Sequence, residues 1–511
     1  MTNPAFGNQV KMLFIGAVAL MLAVFLGWLI GTEDYKPLIL GTLGIIGACI
    51  WFFTGRFFWV LAVASSFLGG TFPILGGSFT PFQILMAMGV IKFVVEDLIL
   101  RRVVQFVFER FDLILIAGFM GVLTWHGVND RFGMRFLGSN VWGGRNYVNV
   151  YVGLAAFFVI QSIPMKAKLW NKLPYLILAV TGFDLAIALL TNFYPASVYR
   201  IYPFYSAVST GNLDESTGMY DQTGRIGAYG NFGGILILLV FAAISLRQLF
   251  HPSNFFRLVA LALGALGVLY SGFRTAVINA LLTALAAGTR DLRFGMLALL
   301  PLLAALLFGL SLFHSQIMPL PRQIQRGLAF IPGDWDAAMA LDAKASNDFR
   351  GQVWGLWTRQ YFPEHPLIGR GFGFKSQYAA ALRYRAGIDY QQMVEVGNIH
   401  NGLLATVDAV GIVGTLFFAA WNLRLLLRTF RVSFSANNPA AFALRFLALY
   451  LGVSIVFYWF GATTIGSFLP REFALAAVFL KLQSSPELNL SRPITPSPTG
   501  SFSRSGAPVT V

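Results

Sequence analysis

The sequence has few cysteines and few charged residues. Cys49 is the only cysteine in 511 residues, which excludes an intrachain disulfide and a thiolate metal cluster. Zinc-ligand spacings, a phosphate-binding Walker loop and a nucleophile elbow are also missing from the sequence. Charged residues make up 12% of the chain, well below the ~25% of soluble domains. These absences argue against a disulfide-stabilised secreted scaffold, a zinc protein and an ordinary soluble enzyme.

Apolar residues, by contrast, are abundant and lie in long runs. They make up 56% of the chain, and the mean hydropathy is +0.67. Runs of about 20 apolar residues are long enough to cross a bilayer as helices. We therefore predict an all-α polytopic membrane protein with about 12–14 transmembrane helices and a large outer loop domain. The predicted spans are 12–30, 37–53, 57–76, 82–100, 112–127, 146–163, 173–193, 229–247, 255–271, 274–289, 294–313, 402–427, 440–461 and 464–481.

The distribution of lysine and arginine predicts the orientation, because short cytoplasmic loops are enriched in these residues. Every second loop between predicted spans carries lysine or arginine and is therefore predicted to be cytoplasmic. One predicted outer loop, with Arg131, Arg135 and Arg145, departs from the rule. Both termini are then cytoplasmic, and the first segment is a retained anchor. The net charge of +15 therefore indicates contact with anionic lipid rather than with nucleic acid.

The predicted spans divide the chain into six regions. Residues 1–193 form N-terminal transmembrane helices, and 194–228 form an outer loop. Residues 229–313 return to the membrane, and 314–401 form the large periplasmic loop domain. Residues 402–482 form the last transmembrane helices, and 483–511 are a disordered cytoplasmic tail rich in serine, proline and threonine. The large loop contains many aromatic residues, so we expect it to fold.

Three ionisable side chains are predicted to lie at the same outer membrane face. Arg225 precedes the eighth span, Arg274 stands between the ninth and tenth, and His400 precedes the twelfth. Taken singly, each has an ordinary explanation, because an arginine at a helix entrance often extends to lipid phosphate and an interfacial histidine is often a capping residue. Together they predict a site with two fixed positive charges and one proton acceptor.

The motifs around these residues resemble a known family. An arginine precedes a Gly-Asn element in RIGAYGN, an arginine opens a helix in SGFRTAV, and a large loop with Arg350 ends in HNGLLATVDAVGIVG. Over about 225–415 the sequence resembles the O-antigen ligase and O-antigen polymerase superfamily of bacterial membrane glycosyltransferases. Members often have an acidic residue nine positions after the histidine. That position is Ala409 here, with Asp408 one position earlier.

The resemblance implies a GT-C-like fold in the bacterial inner membrane and a site that faces the periplasm. The implied reaction transfers a glycan from an undecaprenyl-pyrophosphate donor to a hydroxyl of a saccharide, lipid or protein acceptor. Such a reaction needs no cofactor or metal and inverts the anomeric carbon. Whether the protein is a ligase or a polymerase, and whether a chain-length regulator assists it, stays open.

The chemistry of this reaction assigns roles to individual residues. Arg225 and Arg274 are predicted to stabilise the charge of the departing pyrophosphate, with Arg350 as a third candidate. His400 is the predicted general base, because a neutral imidazole with a pKa near ~6.5 accepts a proton at neutral pH. Asn401 is predicted to orient His400 or a sugar hydroxyl. Glu395 is predicted to bind an acceptor hydroxyl or to hold His400.

Other readings remain open. A lipid-linked oligosaccharide flippase or anion transporter would use the same arginines to bind an anion, and a non-catalytic envelope scaffold would not need His400. Asp334 and Asp336 are more consistent with a solvated loop than with a metal site. The remaining expectations are structural: a loop role for His365, a hydrogen bond between helices for Asp184, and ion pairs of Glu96 and Asp97 with Arg101 and Arg102. Arg471 either precedes the last helix or faces an outer cavity.

Overall fold

The protein is almost entirely helical in the residues that its computed structural model describes. These residues are 16, 27, 35–74, 77–101, 108–206, 225–292, 295–317, 319–375, 390–432, 441–461 and 464–485. Nearly all of the predicted first span and of the predicted disordered tail lies outside them.

The first half of the chain contains eight labelled helices, one hairpin and several single turns in its described residues. The α-helices and strands are α1 (Tyr35–Phe53), α2 (Phe57–Ala64), β1 (Phe72–Ile74), β2 (Gly77–Phe79), α3 (Pro81–Lys92), α4 (Arg110–Asn129), α5 (Gly144–Ser162), α6 (Ala167–Trp170), α7 (Leu173–Phe193) and α8 (Ser197–Ile201). A π-helix, Phe93–Arg101, continues α3, and 3-10 turns cover Ser65–Phe67, Arg131–Gly133 and Arg135–Leu137.

The described second half is built from longer helices. They are α9 (Gly227–Ala243), α10 (Phe255–Tyr270), α11 (Arg274–Leu292), α12 (Gly295–Ile317), α13 (Arg322–Leu328), α14 (Ala337–Leu356), α15 (Phe362–Glu364), α16 (Tyr390–Glu395), α17 (Gly402–Phe430), α18 (Phe442–Phe460) and α19 (Ile465–Gln483). A π-helix, Trp357–Tyr361, joins α14 to α15, and 3-10 turns cover Leu246–Gln248 and Pro252–Asn254.

Five helical segments among the described residues are long and apolar enough to cross a membrane. They are Arg110–Asn129, Ala167–Phe193, Pro252–Tyr270, Gly402–Phe430 and Phe442–Phe460. The all-α class predicted from the sequence is thus confirmed, together with helices able to span a bilayer. The larger number of about 12–14 spans stays a prediction.

The predicted third span, 57–76, was wrong in its second half. The helix ends with the turn Ser65–Phe67, and the chain then forms an antiparallel hairpin in which Phe72 pairs with Phe79. Thr80 stops this hairpin and starts α3, because its side chain accepts a hydrogen bond from the Gln83 N–H while the Gln83 side chain accepts one from the Thr80 N–H. Apolar content alone did not distinguish this short hairpin from a continuous helix.

The core lies where α19 packs against α5 and α18 packs against α17. Large rings fill it, including Phe157, Phe418, Trp421 and Phe473, all of them 2% exposed or less. A second close contact joins α9 and α10. A Cβ atom at Gly233 would lie 2.5 Å from the Gly264 carbonyl oxygen, so the absence of a side chain lets the two helices touch.

Within the predicted outer loop, the described stretches 319–375 and 390–401 contain helices that pack on one another. Helices α14 and α16 pack together, and a separate hydrophobic cluster forms between them and the chain before α17. Its buried members are Val353, Trp357, Met393, Val394 and Ile399. The loop therefore has a core of its own, which fixes the positions of the residues on either side of His400.

Three acidic residues singled out in the sequence have these partners. Asp97 pairs with Arg56 at 2.5 Å, and Glu96 pairs with Lys92 at 2.6 Å; the predicted pairing with Arg101 and Arg102 concerns side chains outside the described part of the chain and stays a prediction. Asp184 was expected to bond to another helix. Its carboxylate instead accepts hydrogen bonds from the Gly69 N–H at 2.7 Å and the Tyr205 hydroxyl at 3.0 Å, both outside helices.

Candidate functional site

Arg225 lies directly before α9 and faces the folded loop. Its guanidinium group is 3.5 Å from the carboxylate of Asp342 on α14 and lies over the ring of Phe273 at 6.0 Å. The side chain is 41% exposed, so much of its hydrogen-bonding capacity is free. The loop thus reaches back to the helix entrance that the sequence singled out.

Asp342 holds two arginines at once. Besides Arg225, it accepts a bidentate pair of hydrogen bonds from Arg326, at 2.9 Å from Nε and 3.0 Å from Nη2. Arg326 is 2% exposed, so this ion pair fixes α13 against α14. A bidentate arginine–carboxylate pair has a defined geometry as well as a favourable energy, and it gives Arg225 a rigid neighbour.

Replacing Asp342 with asparagine is expected to destabilise the loop, because the buried Arg326 loses its charged partner. Breaking a buried ion pair costs roughly 3–5 kcal/mol. Asp342 is 29% exposed, so we expect about 2–3 kcal/mol less unfolding free energy. Asp348→Asn, at an exposed position on the same helix, is the control. Thermal unfolding in detergent compares the two variants, and equal midpoints would contradict a structural role for Asp342.

Arg274 opens α11 and also reaches the loop. Its Nη1 donates a hydrogen bond to the Asn347 side chain on α14 at 3.1 Å. It interacts electrostatically with Asp342 and with Arg350, which is on the same loop helix. Arg225 precedes α9 and Arg274 opens α11, yet each contacts a residue of α14. Both arginines therefore lie near this loop helix, while their common role stays a prediction.

Arg350 and His400 complete the cluster. Arg350 interacts electrostatically with both Arg274 and His400. Burial lowers the pKa of His400 below its ordinary value of 6.5, and the nearby Arg350 guanidinium lowers it further. Both causes favour the neutral imidazole. A neutral imidazole is the form that accepts a proton, so His400 is prepared to act as a base near neutral pH.

The backbone holds His400 in an uncommon conformation. Its φ angle is +55°, in the left-handed region where histidine is more frequent than most non-glycine residues. On one side, the Ile399 carbonyl accepts a hydrogen bond from the Trp354 indole at 2.8 Å. On the other, the Asn401 side chain caps α17 by accepting a hydrogen bond from the Leu404 N–H at 3.1 Å. These contacts fix the turn, and strained backbone of this kind clusters at functional sites.

Asn401 and Glu395 have structural partners. The Asn401 oxygen is used as the helix cap, which fixes the residue next to His400. Glu395 accepts a hydrogen bond from the Tyr361 hydroxyl at 3.1 Å and pairs with Arg370 at 3.4 Å. No hydrogen bond joins Glu395 to His400 in the described part of the chain, so this geometry does not support its predicted role of holding His400. Binding of an acceptor hydroxyl by Glu395 stays a prediction.

Asp408 has a role that the sequence did not reveal. It accepts hydrogen bonds from Arg370 Nε at 2.8 Å, from Arg370 Nη2 at 2.9 Å and from the Trp357 indole at 2.9 Å. The carboxylate therefore ties α17 to the folded loop at two points. Arg370 in turn contacts Glu395, so one connected set of ion pairs fixes the chain on both sides of His400.

The loop also inserts its backbone into a break in α17. Gly411 has φ +63° and ψ −172°, which interrupts the helix. The freed Ile412 and Val413 N–H groups donate to the carbonyls of Pro366 and Leu367 at 2.9 and 3.0 Å. Inside a membrane region a broken helix needs such replacement partners. The segment PEHPLIGRG is thus a structural part of α17, which agrees with the loop role expected for His365.

Substituting Gly411 with alanine is expected to disrupt this junction. Its φ/ψ combination is almost restricted to glycine, and a Cβ atom would lie 2.2 Å from the Leu367 carbonyl oxygen. We expect a loss of at least ~3 kcal/mol of unfolding free energy. Gly121→Ala is the control, because no atom lies within 4 Å of a Cβ there. Thermal unfolding in detergent is the measurement, and an unchanged midpoint for Gly411→Ala would contradict the proposed junction.

The two aspartates of the Asp-Trp-Asp sequence are engaged in local structure. Asp336 caps α14 by accepting the Ala338 N–H at 2.9 Å, and Asp334 accepts a hydrogen bond from Ser315 at 2.5 Å. Within the described residues, no group of three or more acidic, histidine or cysteine side chains is placed to hold a metal ion. Both aspartates thus have a structural use in the loop.

Arg471 lies within α19 and lines a cavity, so it does not precede the last helix; that the cavity is an outer one stays a prediction. The cavity has a volume of about 320 Å³ and lies between α9, α11, α18 and α19. The next residue, Glu472, is 1% exposed and does not line this cavity. A charged side chain inside a bundle of apolar helices is energetically expensive and indicates a function.

Sequence reasoning missed Asp342, Asn347, Arg326 and Arg370. None of them lies at a helix entrance, and polar residues are expected throughout a solvated loop. Their positions in the sequence therefore did not indicate that they belong to the site. The bidentate pairs of Asp342 and Asp408 depend on contacts across 16 and 38 residues of chain.

Comparison with known protein families and with curated proteins finds no match to this sequence. The site geometry and the motifs themselves therefore carry the functional argument.

Proposed function

We propose that this protein is a membrane glycosyltransferase that uses a lipid-pyrophosphate-linked glycan as donor. The single observation that carries the proposal is the cluster at α14, where Arg225 and Arg274 contact residues of this helix and Arg350, which lies on it, interacts electrostatically with Arg274 and His400. Three guanidinium groups supply preorganised positive charge, and the imidazole is favoured in its neutral form. Few reactions at a membrane surface need both a multiply charged anionic leaving group and a base.

The proposed chemistry follows from these groups. The acceptor hydroxyl oxygen attacks the anomeric carbon of the donor sugar while the bond between that carbon and the pyrophosphate oxygen breaks. His400 takes the hydroxyl proton, and the electron pair of the broken bond stays on the pyrophosphate. Arg225 and Arg274 stabilise the charge that develops there by bidentate hydrogen bonds. One direct displacement without a covalent intermediate inverts the anomeric carbon.

In this proposal the protein is an enzyme of the bacterial inner membrane whose site faces the periplasm. Its donor would be an undecaprenyl-pyrophosphate-linked glycan, and its acceptor a saccharide, lipid or protein hydroxyl, as in the assembly of O-antigen or another surface polysaccharide. The mechanism uses no metal and no cofactor. Ligase and polymerase differ only in the acceptor, which the loop around His400 would select.

The test is a turnover assay with purified protein in liposomes. The donor is a lipid-pyrophosphate-linked oligosaccharide, EDTA is present, and donor loss and glycan product are measured for the wild-type protein, His400→Ala and Arg274→Ala. Turnover by the wild-type protein, lost in both variants while donor binding to His400→Ala persists, supports the transferase. The absence of any glycosidic product with saccharide, lipid and protein acceptors contradicts it.

A lipid-linked oligosaccharide flippase or anion transporter is the second candidate function. The observation that favours it is Arg471, a charged residue that lines a cavity among the helices. The same liposomes distinguish the two functions. Movement of the donor between leaflets without product, at a rate that His400→Ala leaves unchanged, supports the transporter and contradicts the transferase.

A further inference from the structure

The cavity beside Arg471 lies close in the chain to two arginines of the candidate site. Gly227, two residues after Arg225, and Phe273, directly before Arg274, both line it, although the two arginines themselves do not. The Arg225 guanidinium lies over the Phe273 ring at 6.0 Å. Phe273 is therefore shared between the surroundings of Arg225 and the wall of the cavity.

The lining of the cavity is polar on several of its helices. Asn231 comes from α9, Thr275 and Asn279 come from α11, and Ser454 comes from α18. Farther along α9, Ile235 and Leu238 make the wall apolar. A mixed lining of this kind suits a ligand with a polar head and an apolar chain.

Arg471 contributes a positive charge to this cavity, and only part of its guanidinium group is engaged in hydrogen bonds with the described residues. Its Nε donates to the Ser66 carbonyl at 3.0 Å, and its Nη1 donates to the Tyr450 hydroxyl at 3.3 Å. The Phe67 ring lies 4.5 Å from the guanidinium carbon. These contacts orient the side chain, while Nη2 has no hydrogen-bond partner in the described part of the chain.

The acidic residues near Arg471 do not pair with it directly. Asp184 and Glu472 both interact electrostatically with the Arg471 guanidinium, yet neither forms an ion pair with it within the described residues. Asp184 is bonded to Gly69 and Tyr205. A guanidinium held by neutral oxygens and an aromatic face keeps its capacity to bind an anion bidentately.

We propose that this cavity binds the phosphate-bearing end of an isoprenoid lipid, with Arg471 donating to phosphate oxygens from within the bundle. Arg225 and Arg274 would reach the same pyrophosphate from the loop side, and the Asn231 and Asn279 amides would donate to its remaining oxygens. Ile235 and Leu238 would contact the first carbons of the chain. This inference rests on the proposed function and assigns the donor's binding residues on the membrane side.

Farnesyl pyrophosphate is a suitable probe, because it carries the head group and a short isoprenoid chain. Its binding to the purified full-length protein in detergent is measured by calorimetry, with farnesol, inorganic pyrophosphate and phosphatidylglycerol as separate arms. Loss of a charge-assisted bidentate contact weakens binding about 10- to 100-fold. We expect Arg471→Gln to weaken farnesyl pyrophosphate binding by this factor and Arg471→Lys to weaken it less. Arg322→Gln, at a 59% exposed side chain, is the control and should bind normally.

A second variant tests the same cavity in case Arg471→Gln does not fold. Asn279→Asp is nearly the same size and adds a negative charge to the cavity, so it should weaken farnesyl pyrophosphate binding while leaving the thermal midpoint close to that of the wild-type protein. Preference for farnesyl pyrophosphate over inorganic pyrophosphate supports a lipid ligand. Equal binding of both, or tighter binding of phosphatidylglycerol, overturns the isoprenoid assignment.

Turnover separates this inference from the proposed function. In the liposome assay, Arg471→Gln should raise the donor KM about 10-fold or more and leave the acceptor KM unchanged. If the wild-type protein transfers glycan while Arg471→Gln retains wild-type farnesyl pyrophosphate binding and donor KM, the cavity assignment is wrong and the transferase stands. Normal binding by the wild-type protein, lost in Arg471→Gln without any glycan transfer, supports the cavity and contradicts the transferase.

Discussion

Replacement of His400 by glutamine is expected to lower kcat by about 10²- to 10⁴-fold, the usual contribution of a general base. Glutamine keeps much of the size and hydrogen-bonding character of histidine but cannot accept the proton of the acceptor hydroxyl. Donor binding should change little, because the arginines and not the imidazole contact the pyrophosphate in the proposed mechanism. The measurement is initial turnover in liposomes at saturating donor and acceptor.

The pH dependence of the same reaction gives a second readout. Only the neutral imidazole is active, so kcat should fall as the pH drops through the pKa of His400. Burial and Arg350 both lower that pKa from 6.5, so half-maximal activity is expected below pH 6.5. His365→Gln, in an exposed part of the same loop, is the control and should keep the wild-type rate and profile. A His400→Gln enzyme with wild-type kcat would exclude the proposed base.

Replacement of Arg274 is expected to have the other large effect. Removal of one preorganised donor to a developing negative charge typically lowers kcat about 10²- to 10³-fold. Arg274→Gln should fall in this range. Arg274→Lys should recover only part of the rate, because a lysine retains the charge but not the planar bidentate geometry. Turnover of both variants at saturating donor is the measurement.

Stability distinguishes this effect from damage to the fold. Arg274 lies near the like-charged Arg350, which repels it. Removal of the Arg274 charge should therefore cost little stability, since substitutions at the surface usually change the unfolding free energy by no more than ~0.5 kcal/mol. We expect the thermal midpoint of Arg274→Gln to stay within about a degree of the wild-type value. Arg322→Gln is the matched control for loss of a loop arginine. If Arg274→Gln unfolds much earlier than the wild-type protein, or turns over at the wild-type rate, its assigned role is wrong.

The candidate site was largely visible in the sequence because its residues stand at the ends of apolar runs. Arg225, Arg274 and His400 each occur where a predicted helix begins, and the lysine and arginine distribution placed all three at one membrane face. Residues at the same end of neighbouring helices lie close together in space, so the sequence predicted that these three side chains form one cluster. The structure also brings Arg350 into this group through α14.

The sequence was less informative where local signals were ambiguous. The apolar run at 57–76 contained a helix, a turn and a hairpin, and only backbone pairing decides between such outcomes. The partners of Asp184 were also not foreseen. A hydrogen bond to another helix was expected, but the Gly69 N–H and the Tyr205 hydroxyl, both outside helices, bind its carboxylate.

By itself, the sequence determined the helical class and the apolar segments able to span a membrane, and it predicted a common position for the arginines and His400. Hydrophobic periodicity and charge placement are local properties, so they can be read from the chain. Only the tertiary structure decided that Asp342 holds Arg225 and Arg326, that Asp408 holds Arg370, and that the loop fills the break at Gly411. These contacts depend on which surfaces meet after folding, and many sequences of the same composition would satisfy the local patterns without making them.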